Sequence, residues 1–146
     1  MAKSTIIVDS REQRPLFNEE DGAIVRKLDT GDYTAEGAEN ILAIERKSKV
    51  SEFANNITES RFWDWVNRLA EFEHAYLLLE FNEKDVDNYP AGSGIPKYRW
   101  KYLRVKSPFI KSTLAKLEEL GIKIIYTSNR TKTKKKILQI IRCIHQ

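Results

Sequence analysis

Asp32, Glu45 and Lys47 are the residues of this sequence whose types and spacing could do chemistry together. Asp32-Tyr-Thr-Ala35 and Ile41-Leu-Ala-Ile-Glu45 flank the turn-rich Glu36-Gly-Ala-Glu-Asn40, which predicts a β-hairpin. If that hairpin folds symmetrically about the 38/39 position, cross-strand partners have numbers summing to 77, and Asp32 faces Glu45. Directly opposed residues bring their Cβ atoms to about 4.5–5.5 Å, where two like charges repel unless something positive lies between them. A divalent cation removes that repulsion. Side chains alternate along a strand, so Glu45 and Lys47 point to one face and Arg46 to the other. Two carboxylates can hold Mg²⁺ and leave positions for water, while the adjacent lysine orients or deprotonates a water aimed at a phosphodiester. These are the parts of metal-assisted phosphodiester hydrolysis.

Such a trio needs strands to hold it and helices to cover those strands. Thr5-Ile-Ile-Val-Asp9 is a β-rich run ending in an acid, and Ala23 to Leu28 is a second strand candidate after a polar loop. From Ser51 to Glu73 the apolar residues take helical spacing: Phe53, Ala54 and Ile57, then Phe62, Trp65, Val66, Leu69 and Phe72. That spacing predicts two helices, with Ser60 capping the second. Trp63 lies off the stripe and is expected to be partly exposed. Ala75 to Phe81 is nearly continuous in apolar residues, as a strand covered on both faces would be. Residues 82–96 have the composition of a mobile loop. Ser107-Pro108 opens a helix that Gly121 stops. Ile122 to Thr127 reads as a further strand, and Thr131 to Ile144 as a closing helix with Ile137, Ile140, Ile141 and Ile144 on one face. Strands first, then strand and helix alternating, predict a single α/β domain over residues 1–146, with a mixed central sheet flanked by helices.

Composition narrows the chemistry. Cys143 is the single cysteine and His74 and His145 the two histidines of the 146 residues, which excludes a disulfide or a cysteine-based zinc cluster and leaves oxygen ligands for any metal. Cys143 reads as a buried thiol beside the isoleucine stripe, and neither histidine reads as catalytic. No apolar run reaches the roughly 18 residues that a membrane-spanning helix needs. The opening apolar stretch is too short for a signal peptide, so the chain reads as intracellular, and as cytoplasmic in a prokaryotic or viral source. The net charge of +4 is unevenly divided: residues 1–96 carry 11 Lys+Arg against 19 Asp+Glu, and residues 97–146 carry 14 against 2. An acidic part able to hold cations beside a basic part able to hold polyanions points to a metal-using protein acting on nucleic acid. In Lys97-Tyr-Arg-Trp-Lys-Tyr102 an extended segment would put Tyr98, Trp100 and Tyr102 on one side, to stack unpaired bases or to pack on the core. Lys97, Arg99 and Lys101 would lie opposite, to meet phosphates or water. Lys132, Lys134, Lys135 and Lys136 crowd the first turns of the last helix, where the macrodipole disfavours cations; contact with a DNA backbone would supply a reason for them.

Val8-Asp-Ser-Arg-Glu12, Gly31-Asp32 and Glu45-Arg-Lys47 together resemble the GD…ERK nuclease motif of the XPF-type structure-specific endonucleases. Ser60-Arg61, the Leu77-Leu-Leu-Glu80 strand and the final helix, strand and helix fall in the order of that family, so the likeness covers nearly the whole chain. The resemblance implies a restriction-endonuclease-like PD-(D/E)xK fold that cleaves DNA near branches, flaps or forks with Mg²⁺ or Mn²⁺. It implies that Asp32 and Glu45 are metal ligands, Lys47 the water-activating base, and Arg46 a scaffold or phosphate contact. Asp9, Arg11 and Glu12 would line the same cleft, Arg11 as an ion pair or a DNA contact, and Arg61 would contact DNA. Two departures stand out: Ser51, followed by Glu52, replaces an acid that the family places after the ERK motif, and no helix-hairpin-helix module follows. Pairing habits of the family lead to the expectation of a homodimer. The function expected is a metal-dependent DNA endonuclease. The alternatives are a catalytically silent DNA-binding accessory subunit and a sequence-specific restriction-type nuclease on the same fold.

Overall fold

The computed structural model describes residues 5–144; His145 lies outside them. Strands β1 (Ile6–Asp9), β2 (Ile24–Arg26), β3 (Tyr33–Ala35), β4 (Leu42–Lys47), β5 (His74–Leu79) and β6 (Lys123–Tyr126) form one sheet in the order β2-β1-β3-β4-β5-β6. Only β3 runs against its neighbours; β1 with β2, and β4 with β5 and β6, are parallel. The expected mixed α/β sheet is therefore present, and Tyr33 pairs with Ile44, which is the hairpin register of the symmetric turn.

Helices α1 (Val50–Ile57), α2 (Phe62–Ala70), α3 (Glu83–Asn88), α4 (Ser107–Glu119) and α5 (Arg130–Ile144) cover the sheet. Alternation along the strands sorts the core into two clusters. Ala43, Leu77 and Leu79 pack with Phe53, Phe62, Leu69, Ile110 and Leu117 of α1, α2 and α4. Leu42, Ile44 and Leu78 pack with Ile137, Ile140 and Ile141 of α5 on the opposite face. The isoleucine stripe of α5 is thus core, which removes it as a pairing surface. By the same alternation Glu45 and Lys47 point toward α1 and α2, and Arg46 toward α5.

Four local expectations are corrected. Arg61, not Ser60, occupies the N-cap of α2, and no side chain caps that helix. The stretch read as a mobile loop contains α3, whose first turn is closed by the Asn82 N–H donating to Asp85 at 2.9 Å; six residues are too few to register a helical period. Residues Lys97–Tyr102 form a 3₁₀ turn in place of an extended segment. Cys143 is exposed, because one residue before Ile144 it is turned roughly 100° around α5 from the isoleucine stripe.

Gly31 leads into Asp32 with φ +86°, and a Cβ there would sit 3.3 Å from Ala43 Cβ and from the Ile44 backbone. Backbone freedom and close approach to β4 both require glycine. Gly31→Ala is expected to lower stability by about 1–3 kcal/mol in urea unfolding, and a change below measurement error would contradict this account.

Candidate active site

The parallel strands β4, β5 and β6 end on one edge of the sheet: Glu80 N–H donates to Lys47 O at 2.9 Å, and Thr127 N–H to Leu79 O at 2.8 Å. Open α/β sheets bind ligands beyond the carboxyl ends of their strands, and the acidic residues gather at this edge. Asp32 donates its N–H to Ile44 O and accepts the Arg46 N–H on Oδ2, both at 2.8 Å, so its side chain is fixed across the hairpin. Glu45 is 7% exposed, and its carboxyl lies close enough to that of Asp32 for the two to interact strongly. Burial, then the Glu45 charge, lifts Asp32 well above the usual carboxylate range. Burial also raises Glu45, against the pull of the Lys47 ammonium. In a desolvated site each of two such close carboxyls makes the other harder to ionise, so both are raised together.

Lys47 Nζ lies 5.5 Å from the centroid of the Trp65 ring, close enough for cation–π attraction. Glu45, Lys47 and Trp65 line a cleft of about 280 Å³ with Asn56, Arg61 and Arg68. Asn56 Oδ1 is buried there without a hydrogen-bond partner among the described residues. Trp65 was legible only as a core position on an amphipathic helix. Its second role, beside the lysine, depends on the docking of α2 that spacing alone does not specify. Arg68 gave no signal of its own.

On the other face Arg46 donates to Glu80 through Nε at 2.6 Å, and through Nη1 to Glu12 at 3.4 Å and to the Arg14 carbonyl at 3.3 Å. Burial works against the guanidinium charge, but the bond and charge of Glu80, together with Tyr33 and Glu12, outweigh it and raise the Arg46 pKa. Removing one partner of a buried, hydrogen-bonded ion pair is far more harmful than the pair is stabilising. Tyr33 Oη accepts the Leu16 N–H at 2.9 Å and lies beside the Glu12 carboxyl. Burial, then the Asp32 charge, pushes Glu12 from 4.5 up to about 7. Glu12 therefore joins the acid pair electrostatically while bracing Arg46. A second cleft of about 350 Å³ opens here between Arg11, Glu12, Arg14, Arg46, Ser48 and Glu52.

Several expected residues lie elsewhere. Asp9 does not join the acid pair: Oδ1 accepts the Leu28 N–H at 2.8 Å and Oδ2 accepts Arg11 Nε at 3.1 Å, so it ties the end of β1 to the next loop. Arg11 is accordingly an ion pair that also donates to Leu28 O at 2.6 Å, although its exposed side chain reaches the second cleft. Glu52 accepts the Ser48 N–H at 3.0 Å. Arg61 stands in the Lys47 cleft. The lysines of α5 are on the far side of the sheet from Glu45, though their helix starts at the same edge. Lys134 is held near Asp21 at 3.9 Å and over Phe17, and Lys136 donates to Gln139 at 3.0 Å, while Lys132 and Lys135 are exposed. Trp100 is half-buried, with its indole N–H donated to Ile95 O at 2.8 Å.

Two adjacent carboxyls, one buried and one half-buried, each opposing the other's ionisation, are a donor set that fits a divalent cation. Mg²⁺ takes one or two carboxylates and completes its shell with waters and substrate oxygens, so the lack of a third clustered ligand among the described residues does not argue against it.

A mixed six-stranded sheet flanked by helices, with acids gathered at the carboxyl edge, defines the restriction-endonuclease-like class. The family model described as the ERCC4 domain matches residues 8–140, and the chain belongs to that family. Among solved structures it is similar to XPF from Aeropyrum pernix, with 25% identity and a TM-score of 0.69. It is also similar to XPF from Aeropyrum pernix in complex with DNA, with 24% identity and a TM-score of 0.68. Each match covers 97% of this chain and 65% of the other, so the chain spans about two thirds of the length of these XPF structures. No curated protein matches the sequence. No helix of the described residues is long and apolar enough to cross a membrane.

The raised carboxyls carry a stability signature. A folded-state pKa above the unfolded value means the fold binds more protons than the unfolded chain. The contribution of Glu12 is thus full below pH 4.5 and is lost as pH rises through about 7. In chelator, Asp32→Asn removes one of two like charges while keeping an oxygen for the Arg46 N–H. Its unfolding temperature at pH 8 is expected to rise by a few degrees above that of the parent, and a fall would contradict the repulsion described.

Proposed function

We propose that this chain is a metal-dependent DNA endonuclease, and the observation that carries the reading is the pair of half-buried Asp32 and buried Glu45 with Lys47 on the same face. Asp32 and Glu45 would hold a Mg²⁺ or Mn²⁺ ion, which when bound neutralises phosphate charge and lowers the pKa of nearby water. Lys47, fixed as an ammonium beside Trp65, orients the attacking water and offsets charge on the phosphate; the water's proton passes to solvent as its oxygen adds to phosphorus, and the sugar oxygen that leaves takes up a proton from water. Glu12 and Glu80 hold Arg46 in place, and through it the Asp32 contact to the β4 backbone. Arg61 and Arg68 supply positive charge along the cleft for the phosphates flanking the bond cut. Membership of the ERCC4 domain family and likeness to a structure that holds DNA support DNA as the substrate, with branched, flap or fork structures as the preferred class.

Labelled single-stranded, duplex, 3′-flap, fork and four-way DNAs, incubated with Mg²⁺, Mn²⁺ or EDTA, test the reading. Cleavage is expected with metal, preferentially on the branched substrates, and Glu45→Ala is expected to lower it by at least about a thousandfold while binding stays within twofold. Binding without cleavage of any substrate would favour an accessory subunit, and cutting of linear duplex at fixed sequences a restriction-type enzyme.

The lysines of α5 make a separate claim. Lys132→Ala with Lys135→Ala is expected to weaken binding to all sequences alike and to reduce the slope of log K against log salt by about one to two. An unchanged slope would remove α5 from the DNA-binding surface.

A further inference from the structure

The 3₁₀ turn Lys97–Tyr102 sorts its side chains differently from a strand. With three residues per turn, positions i and i+3 eclipse, so Lys97 shares a row with Trp100, Tyr98 with Lys101, and Arg99 with Tyr102. In the first row Trp100 is half-buried with its indole tied to Ile95, and the exposed Lys97 lies over it, Nζ 5.8 Å from the ring centroid. Each of the other two rows carries one tyrosine and one cation. Tyr98 and Tyr102 are 73% and 74% exposed, more than any other large hydrophobic residue in the structure, and Lys101 Nζ stands 5.1 Å from the Tyr102 ring. Residues 97–106 hold five cations and no acid.

The turn is rigidly mounted. Trp100 O accepts the Leu103 N–H at 3.2 Å and Lys106 Nζ at 3.3 Å. Ile95, Leu103 and Val105 pack into the cluster built on α1, α2 and α4. That cluster fixes the turn on the face of the sheet to which Glu45 and Lys47 point, and the start of α4 places it near the carboxyl edge of the strands. A depression lined by Ser48, Lys49, Ser51, Asp85, Tyr89 and Ser93 opens at the same edge, just past the end of β4.

We propose that Tyr98 and Tyr102 form a stacking platform for unpaired bases of a DNA single strand, with Arg99 and Lys101 meeting its phosphates. Exposed, pre-ordered aromatic rings with cations beside them suit this ligand, since every base offers a π-face and every nucleotide a charge. The proposal rests on DNA being the substrate, and it deepens that reading by assigning recognition of a single-stranded arm to a surface away from the acid pair.

The test is equilibrium binding in EDTA, where no cleavage is needed, to a 12-nucleotide dT strand, to an abasic strand of equal length and charge, and to a duplex. The dT strand is expected to bind at least about tenfold tighter than the abasic strand. Tyr98→Ala with Tyr102→Ala is expected to erase that difference and leave abasic and duplex binding within twofold, while Tyr98→Phe with Tyr102→Phe preserves it. On the unaltered protein, a 5-iododeoxyuridine strand is expected to photocrosslink to Tyr98 or Tyr102, which keeps the test valid should the alanine pair unfold. Equal affinity for dT and abasic strands, an equal loss on all three ligands, crosslinks confined to other residues, or loss of a dimer with DNA binding unchanged would overturn the proposal. Failure to bind any nucleic acid would sink the DNA reading itself, whereas cleavage without base discrimination would sink only the platform.

Discussion

Two carboxyl groups facing one another across the β3–β4 hairpin are the constraint around which the rest of this structure is arranged. Left alone, Asp32 and Glu45 repel, and burial makes the repulsion worse. The surrounding residues hold the pair in place in spite of it. The β4 backbone donates to Asp32, the left-handed Gly31 brings that residue against β4, and the Lys47 ammonium offsets part of the negative charge. A sheet selected only for stability would place alternating or apolar residues here. Local conflict within an otherwise consistent fold is what a functional site looks like physically.

Arg46 carries the second layer of that arrangement. Its strand neighbours face α2 and the cleft, while it crosses to the opposite side and binds Glu80, Glu12 and the Arg14 carbonyl. One guanidinium thereby joins β4, β5 and the loop after β1, three segments far apart in sequence. Glu80 Oε1 is left without a partner, so the network is one bond short of full satisfaction. Bidentate geometry and permanent charge make arginine, rather than lysine, suited to such a junction.

The hairpin register and the face of Glu45 and Lys47 were legible in the sequence because period-two alternation and a symmetric turn leave little freedom. The isoleucine face of α5 and the apolar β5 were legible for similar reasons. Asp9 was not, since its acid could join the cleft or bond the backbone, and only the closeness of the Leu28 N–H decides between them. The Arg46–Glu80 contact spans 34 positions and passes through a parallel strand pair, for which no local pattern exists. The 97–102 turn misled because an alternating aromatic and basic run fits period two on paper, whereas the flanking Pro96 and the Trp100 to Ile95 bond favour a tighter coil.

The carbonyl of Arg14 accepts hydrogen bonds from Arg46 and from Arg130, and the latter contact joins residues 116 positions apart. Loop closure over such a distance is a late event in folding, because its entropy is lost before any contact repays it. During synthesis the strands bearing Asp32, Glu45 and Lys47 leave the ribosome well before Arg130 exists. The loop that frames the second cleft, already held by Tyr33 and Arg46, therefore gains its Arg130 contacts only when the last helix emerges, and the order of translation leaves this edge of the sheet to be completed last.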